Sequence, residues 1–300
     1  MARSVHVVSV SLGSSSRDTD QTVELLGADV HIQRRGVNGD VEAARRLVAE
    51  LDGSVDAFGL GGIDLYVQWA GRKYHFREAR RIASAAVRTP IVCGAGLKDS
   101  LERRAVSVLE PAIGWRGRRV LMTLGVDRFG MSEALLQHGA DVRFGDLMFG
   151  LGLPLPLRTF GQVTAAARTL GPIVTQVPFA WLYPTGNKQD VATTSDRYAD
   201  HYGWAEVVSG DWHAIRRYAP ARLDGLTVLT NTTTERDVAF LASAGAARLF
   251  TTTPRYGGRS LATNLLEAAF VALRGPDLGR AGYDAILDEM GYAPTEIALA

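Results

Sequence analysis

Cysteine is nearly absent from the 300 residues. Cys93 stands alone, which excludes an intrachain disulfide and any metal cage built from several thiolates. A surplus of one charge is absent too: 33 Lys and Arg face 32 Asp and Glu. Without a global positive field to gather phosphates, the balance argues against a nucleic-acid or membrane-surface protein. No apolar run is long enough to span a bilayer, and the amino terminus enters a strand at once with no apolar signal region. The expectation is a cytoplasmic protein with no membrane partner. Lysine is scarce, limited to Lys73, Lys98 and Lys188. Where arginine is used so freely, a lysine can mark a place that needs an amine able to titrate. H-E-x-x-H, the G-x-S-x-G elbow and G-x-x-x-x-G-K-[ST] are all missing. No metal is indicated.

What is present is an alternation of short apolar runs with amphipathic ones. The length suits one large α/β domain or two smaller ones. The organising stretch is Arg119 to Asp146. Val120–Leu124 reads as a strand buried on both faces, Gly125–Gly130 as a turn, Met131–His138 as a helix closed by Gly139, and Val142–Phe144 as a second strand. Asp146 follows about twenty residues after the first glycine, the layout that sets a carboxylate on a ribose hydroxyl, while the helix amino end attracts a pyrophosphate. The loop reads G-x-x-x-x-G rather than G-x-G-x-x-G, and Asp127 would repel phosphate. A βαβ unit that binds no nucleotide has the same pattern. The candidate nucleotide set is Gly125, Asp127, Arg128, Gly130 and Asp146, with Thr252 at the end of the last clear strand, Arg248–Thr252.

Earlier in the chain, Val5–Leu12 is expected as a strand followed by Gly13-Ser-Ser-Ser-Arg-Asp18, a loop that offers hydroxyls, amides and Arg17 to an anion. Asp29–Arg34 is a strand, Asp40–Leu51 a helix capped by Asp40, and Val55–Leu60 a strand leaving through Gly61-Gly62-Ile63-Asp64. Pro90–Cys93 precedes Gly94-Ala-Gly-Leu-Lys98 and a helix from Ser100. Further on come a helix at Thr164–Leu170, a strand at Ile173–Val177 and a long polar connection, Pro178–Asp196, of lid type. His213, in the exit after Glu206–Ser209, reads more readily as an ordinary loop histidine than as an acid–base group. A final helix with Asn264 and Glu267 a turn apart is followed by Tyr283–Met290. The expected fold is two α/β units, the second a Rossmann-like doubly wound parallel sheet. Residues 1–112 form an amino-terminal substrate domain, 113–275 a nucleotide-binding domain, and 276–300 a helix returning to the first. Polar strand exits recur, and in a parallel sheet they gather at one edge.

The stretches Val8–Ser16, Asp56–Leu65, Val126–Met131, Leu182–Gly186, Thr251–Pro254, Gly258–Ser260 and Thr263–Ala268 resemble a bacterial family known as quinate 5-dehydrogenase. The resemblance covers the whole chain and implies a relation in architecture to shikimate and quinate dehydrogenases. It implies that Ser14 and Ser16 hold a substrate carboxylate, that Lys98 shuttles a hydroxyl proton, and that Asn264 stands in for a late glutamine. The partner aspartate of those enzymes lies in an Asn-x-Thr…Asp segment after the lysine. None occurs here, and Asp64 is the substitute.

The leading expectation is therefore an NAD(P)-dependent oxidoreductase, a dehydrogenase acting on a hydroxylated cyclic acid of quinate or shikimate type. NAD is favoured over NADP because a carboxylate at Asp146 repels an extra phosphate. The partner is a small-molecule substrate, and a homodimer is the default assembly. Two competitors stand beside it. One is a non-catalytic protein binding a nucleotide or anionic metabolite in the same cleft. The other is a transferase or lyase that holds phosphate with Arg17, Arg255 and Arg259.

Overall fold

A computed structural model describes residues 4–178, 194–256 and 259–299. Contacts divide the chain into two compact units. The first comprises Met1–Lys98, Leu170–Val191 and Ala262–Tyr292; the second comprises Asp99–Thr169, Ala192–Leu261 and Ala293–Ala300. This partition departs from the expected one in four places: residues 99–112 and 293–300 belong to the second unit, and 170–191 and 262–275 to the first. Residues 99–112 go with the second unit because Glu102 pairs with Arg128 and Arg103 with Glu133. The return to the first unit begins at Ala262, not 276, because the helix at Thr263–Arg274 packs on the first sheet.

The first unit is built on strands β1 (Ser4–Ser11), β2 (Thr19–Leu25), β3 (Ala28–Gly36), β4 (Ala57–Gly61) and β7 (Ile91–Val92), in the order β2-β3-β1-β4-β7. Only β2 runs antiparallel. It was not expected as a strand. Its outward residues are polar, and it turns into β3 through Leu26 and Gly27, both at positive φ (54° and 71°), the geometry of a two-residue hairpin turn. Helix α1 (Val41–Leu51) starts where the Asp40 carboxylate accepts the Ala43 amide at 2.9 Å. It buries Ala44 and Val48 against Val8, Val10, Phe58 and Leu60. Burial of a side chain the size of Val48 contributes about 1.5–3 kcal/mol, and the Ala44 methyl about 0.8 kcal/mol. Helix α2 (Arg77–Ala83) joins that face through Ala79 and Ile82. A small hairpin of β5 (Tyr66–Trp69) and β6 (Arg72–His75) follows β4. Helix α9 (Thr263–Arg274), with ten of its residues buried, packs on β1 and β4. Helix α10 (Arg280–Glu289) follows it.

The second unit carries a sheet of β8 (Arg119–Met122), β9 (Asp141–Phe144), β10 (Val207–Gly210), β11 (Thr227–Thr230), β12 (Arg248–Thr251) and β15 (Thr295–Ile297), with a separate two-strand ribbon of β13 (Arg255–Tyr256) and β14 (Arg259–Ser260) before β15. Its order is β9-β8-β10-β11-β12-β15, parallel except for β15. This is the expected doubly wound α/β sheet. Its third parallel strand lies beside the first, the flavodoxin-type order, whereas dinucleotide folds usually run 3-2-1-4-5-6. The helices are the main length of α3 (Ala95–Ile113), α4 (Phe129–Gln137), most of α5 (Phe160–Val174), α6 (Ala199–Trp204), α7 (Trp212–Tyr218) and α8 (Glu235–Ser243). Helix α8 opens with a capping box in which Thr234 and Asp237 exchange hydrogen bonds. Phe149, Tyr198, Tyr202 and Tyr218 stack within the core at centroid distances of 5.1–6.3 Å. The hydroxyls of Tyr198 and Tyr202 donate to the carbonyls of Met148 and Ile215.

Ile173–Val177 is not a strand: α5 continues through Val174. A short apolar run carries no period long enough to separate the two states, and here the helix is already running. Likewise α3 begins at Ala95, earlier than Ser100, and α4 at Phe129, earlier than Met131. His213 lies inside α7. Residues 179–193, the core of the expected lid with Tyr183 and Lys188, fall outside the described residues, as do 257–258. No helix among the described residues is long and apolar enough to cross a membrane.

Candidate functional site

In the first sheet, chain connections leave in opposite directions from between β1 and β4, the place where such sheets bind ligands. The residues there begin with glycines. Strand β4 reads Ala57-Phe-Gly-Leu-Gly61, and a Cβ on Gly59 would lie 2.7 Å from the Asn264 carbonyl oxygen. One on Gly61 would lie 3.2 Å from Asn264 Nδ2, and one on Gly94 2.9 Å from the Asn264 nitrogen. The glycines thus let the amino end of α9 rest on bare backbone. Asn264 Nδ2 then donates to Ser9 Oγ at 2.7 Å in a buried contact.

One turn further along α9, Glu267 is buried and accepts the amides of Gly94 and Leu97 and, at 2.7 Å, the Tyr283 hydroxyl. Its carboxylate occupies the amide-rich start of α3, where an external anion would otherwise bind. Burial raises its pKa, against the hydrogen bonds that lower it. Lys98, in the first turn of α3, is buried, with Nζ 3.4 and 3.5 Å from the two carboxylate oxygens of Asp64. The structure therefore brings together Lys98 and Asp64, although Asp64 precedes Lys98, the reverse of the order the resemblance demanded. Tyr66 and Cys93 belong to the same surroundings. Burial, with Asp64 and Glu267 adding their negative field, pushes the Cys93 thiol up to about 12 and raises the Tyr66 phenol.

The serine pair is closed on itself. Ser14 Oγ lies 2.8 Å from Ser16 Oγ and accepts the Ser16 amide, capping the 3-10 turn Ser15–Arg17. Arg34 donates to the Ser14 carbonyl and to Ser11 Oγ. Ser16 is exposed, Ser14 buried, and Arg17 sits at the end of the turn.

In the second sheet the equivalent place lies between β8 and β10. Arg128, at the exit of β8, is buried with Glu102, with Asp211 at 3.3 Å and with Asp127 at 3.8 Å. Asp211 also caps α7 through the Ala214 amide. The expectation that Arg128 is available to a cofactor is corrected by this network: its guanidinium ties the β8 exit to the β10 exit. Gly130 is not a loop glycine but a residue of α4, and a Cβ there would lie 2.3 Å from the Asp99 carbonyl oxygen. Gly125 is similarly confined by the Phe144 ring.

Asp146 is likewise occupied. Its Oδ1 accepts the Val126 amide at 2.8 Å, and its buried Oδ2 has no hydrogen-bond partner among the described residues. Burial pushes its pKa up to about 6, although the amides of Val126 and Gly125 pull the other way. With the Val126 amide taken and Asp127 alongside, these residues do not fit a pyrophosphate seated on that turn, nor a ribose on Asp146. Thr252 is buried past β12, its amide bonded to the Thr230 carbonyl. Arg255 and Arg259 lie in a two-strand ribbon, and their side chains fall outside the described residues.

Sequence reasoning missed Ser9, Tyr66, Glu102, Asp211 and Tyr283. Asp211 had a usable signal, an acid directly before a helix, whereas nothing local marks the others. A polar groove of about 470 Å³ at the amino-terminal ends of the second sheet is lined by Arg118, Arg119, Glu206, Asp224 and Arg248. Its arginines are already paired, Arg118 and Arg119 with Glu206 and Arg248 with Glu296. Among the described residues, no group of three or more His, Cys, Asp or Glu side chains is placed to hold a metal.

Among solved structures, similar chains include an arabinose-binding protein from Geobacillus stearothermophilus, at 9% identity and TM-score 0.42, covering 99% of this chain and 97% of that one. An ABC-transporter solute-binding protein from Burkholderia multivorans has 13% identity and TM-score 0.39, covering 99% and 100%. The Leu-bound hetero-hexameric glutamate dehydrogenase of Thermus thermophilus has 14% identity and TM-score 0.44, covering 97% and 74%. Likeness at this level carries no argument about function. No curated protein sequence matches the chain. The family model described as Domain of unknown function (DUF8753) matches residues 6–93. The chain belongs to the family described as Domain of unknown function (DUF8754), whose model matches residues 96–299.

Proposed function

We propose that this chain binds a small hydroxylated acid at the carboxyl edge of its first sheet, with Lys98 and Asp64 at the centre of the site. The observation that carries this reading is the buried Lys98 ammonium beside Asp64 at a strand exit, in a chain that otherwise prefers arginine. An ammonium in such a place attracts a carboxylate, and the nearby carboxylate accepts a hydroxyl. Ser14 and Ser16 would have to open their mutual hydrogen bond to join in.

A second reading adds catalysis: an NAD(P)-dependent oxidoreductase of quinate or shikimate type, in which Lys98 passes the hydroxyl proton to Asp64. The Lys98–Asp64 contact favours it. The occupied Val126 amide weighs against a dinucleotide bound by the turn after β8, so binding without redox chemistry is the preferred form.

Thermal-shift titration with quinate and shikimate, each with and without NAD or NADP, separates the two. A rise in midpoint with quinate or shikimate, lost in Lys98→Met, supports the binding site. A further rise with NAD, accompanied by reduced nicotinamide, would favour the oxidoreductase. No rise with any acid would remove the site.

A further inference from the structure

Resting on the reading of Lys98 as the centre of the site, we infer that its amine captures a small hydroxylated aldehyde or ketone as a reversible imine. Three observations lead there. First, only three of the 33 basic Lys and Arg residues are lysine, and Lys98 is buried whereas Lys73 is exposed. An arginine fills ion pairs throughout this chain, but it cannot form an imine. Second, the contact with Asp64 is long, 3.4 and 3.5 Å, where charge-assisted N–H···O bonds usually measure about 2.7–2.9 Å. Arg34–Asp18 and Arg118–Glu206 in the same molecule reach 2.8 Å. Third, Lys98 is fixed from the backbone side. Glu267 holds the amides of Gly94 and Leu97 and is itself held by Tyr283, so the turn that carries the amine is set by α9 and α10.

The chemistry balances with these groups. Asp64 takes a proton from the Lys98 ammonium, and Nζ adds to the carbonyl carbon to form a C–N bond. The proton is delivered to the carbonyl oxygen, giving a carbinolamine. A second proton, given up by the carbinolamine nitrogen and relayed by Asp64, goes to that hydroxyl, which leaves as water; the C–O bond breaks and the nitrogen lone pair closes the C=N bond of a protonated imine. No oxidant or further reactant is needed.

The test is reductive trapping on the full-length protein. Dihydroxyacetone and hydroxypyruvate are the probes, one neutral and one anionic, each with cyanoborohydride at neutral pH. Peptide mass mapping then compares Lys98 with Lys73. The expected result is at least tenfold faster adduct formation at Lys98 with one of the probes. The rate should fall at least tenfold in Asp64→Asn, with an unchanged unfolding midpoint to show that the variant is folded. Lys98→Met should lose that adduct alone. Equal labelling of Lys98 and Lys73, or labelling of Lys73 without Lys98, would overturn the inference. Quinate binding measured alongside keeps the two ideas apart. Binding without a Lys98 adduct leaves the acid site standing and removes the imine; failure of both removes the site.

Discussion

The two parallel sheets share a strand order around their switch points but fill that place with different chemistry. In the first, glycines in β4 admit the amino end of α9, so helix backbone and the Asn264 amide lie against the sheet. In the second, the buried Arg128 joins the β8 and β10 exits through Glu102 and Asp211. One device depends on the absence of side chains, the other on charge. The difference teaches that a doubly wound sheet provides an edge and a crevice, while the side chains delivered there decide whether a ligand or the protein itself occupies it.

The largest effect should come from breaking the charged device. Arg128→Met leaves the buried Glu102 and the half-buried Asp211 without this cation and should cost about 3–5 kcal/mol in denaturant unfolding. A loss under about 1 kcal/mol would show that the network contributes little and would blur the contrast between the sheets.

Gly59→Ala attacks the other device. Its Cβ would meet the Asn264 carbonyl oxygen at 2.7 Å, so α9 must shift, at a cost of about 1–3 kcal/mol. Gly203→Ala is the matched control, because nothing lies within 4 Å of its Cβ in α6 and alanine is the better helix former. Equal effects at the two positions would argue that close packing is not what Gly59 provides.

Asp146→Asn should act in the opposite direction. The folded-state pKa is raised from 3.8 to about 6, so the unfolded chain releases this proton more readily. Asp146 therefore favours the fold fully below about pH 4, and this contribution is lost as pH rises through about 6. An asparagine keeps an acceptor for the Val126 amide without the buried charge. The variant should gain about 1–3 kcal/mol over the parent at pH 8, and the advantage should vanish below pH 4. A pH-independent difference would contradict the burial argument.

The smallest effect is expected from Ser14→Ala, about 0.5–1.5 kcal/mol for one local hydrogen-bonded hydroxyl. A tenfold loss of quinate affinity in that variant would sharpen the picture, because it would mean that the serine pair opens for ligand.

How much of this was legible can be judged from particular residues. Helix α1, with Asp40 as its cap and an apolar stripe, was readable because both signals are local. The βαβ passage from β8 to β9 was readable for the same reason. Lys98 stood out by scarcity, and Asp64 was the substitute for the partner aspartate that the resemblance called for and the chain lacks. The mistakes were of another kind. Asp146 has the spacing of a ribose-binding acid, but spacing does not reveal that its carboxylate turns back to the Val126 amide. Gly59, inside an expected strand, and Gly61, at its exit, show no local sign of their role until α9, two hundred residues later in the chain, is seen resting on them.

The sequence alone determined the alternation of strands and helices, the balance of charge, and which positions can cap, turn or be buried. These follow from side-chain chemistry and short-range periodicity, which act over a few residues. Tertiary structure decided which distant groups meet: Lys98 with Asp64, Glu267 with the start of α3, and Arg128 with Glu102 and Asp211. Such pairings depend on strand order and on helices that return late in the chain, and no local pattern encodes either.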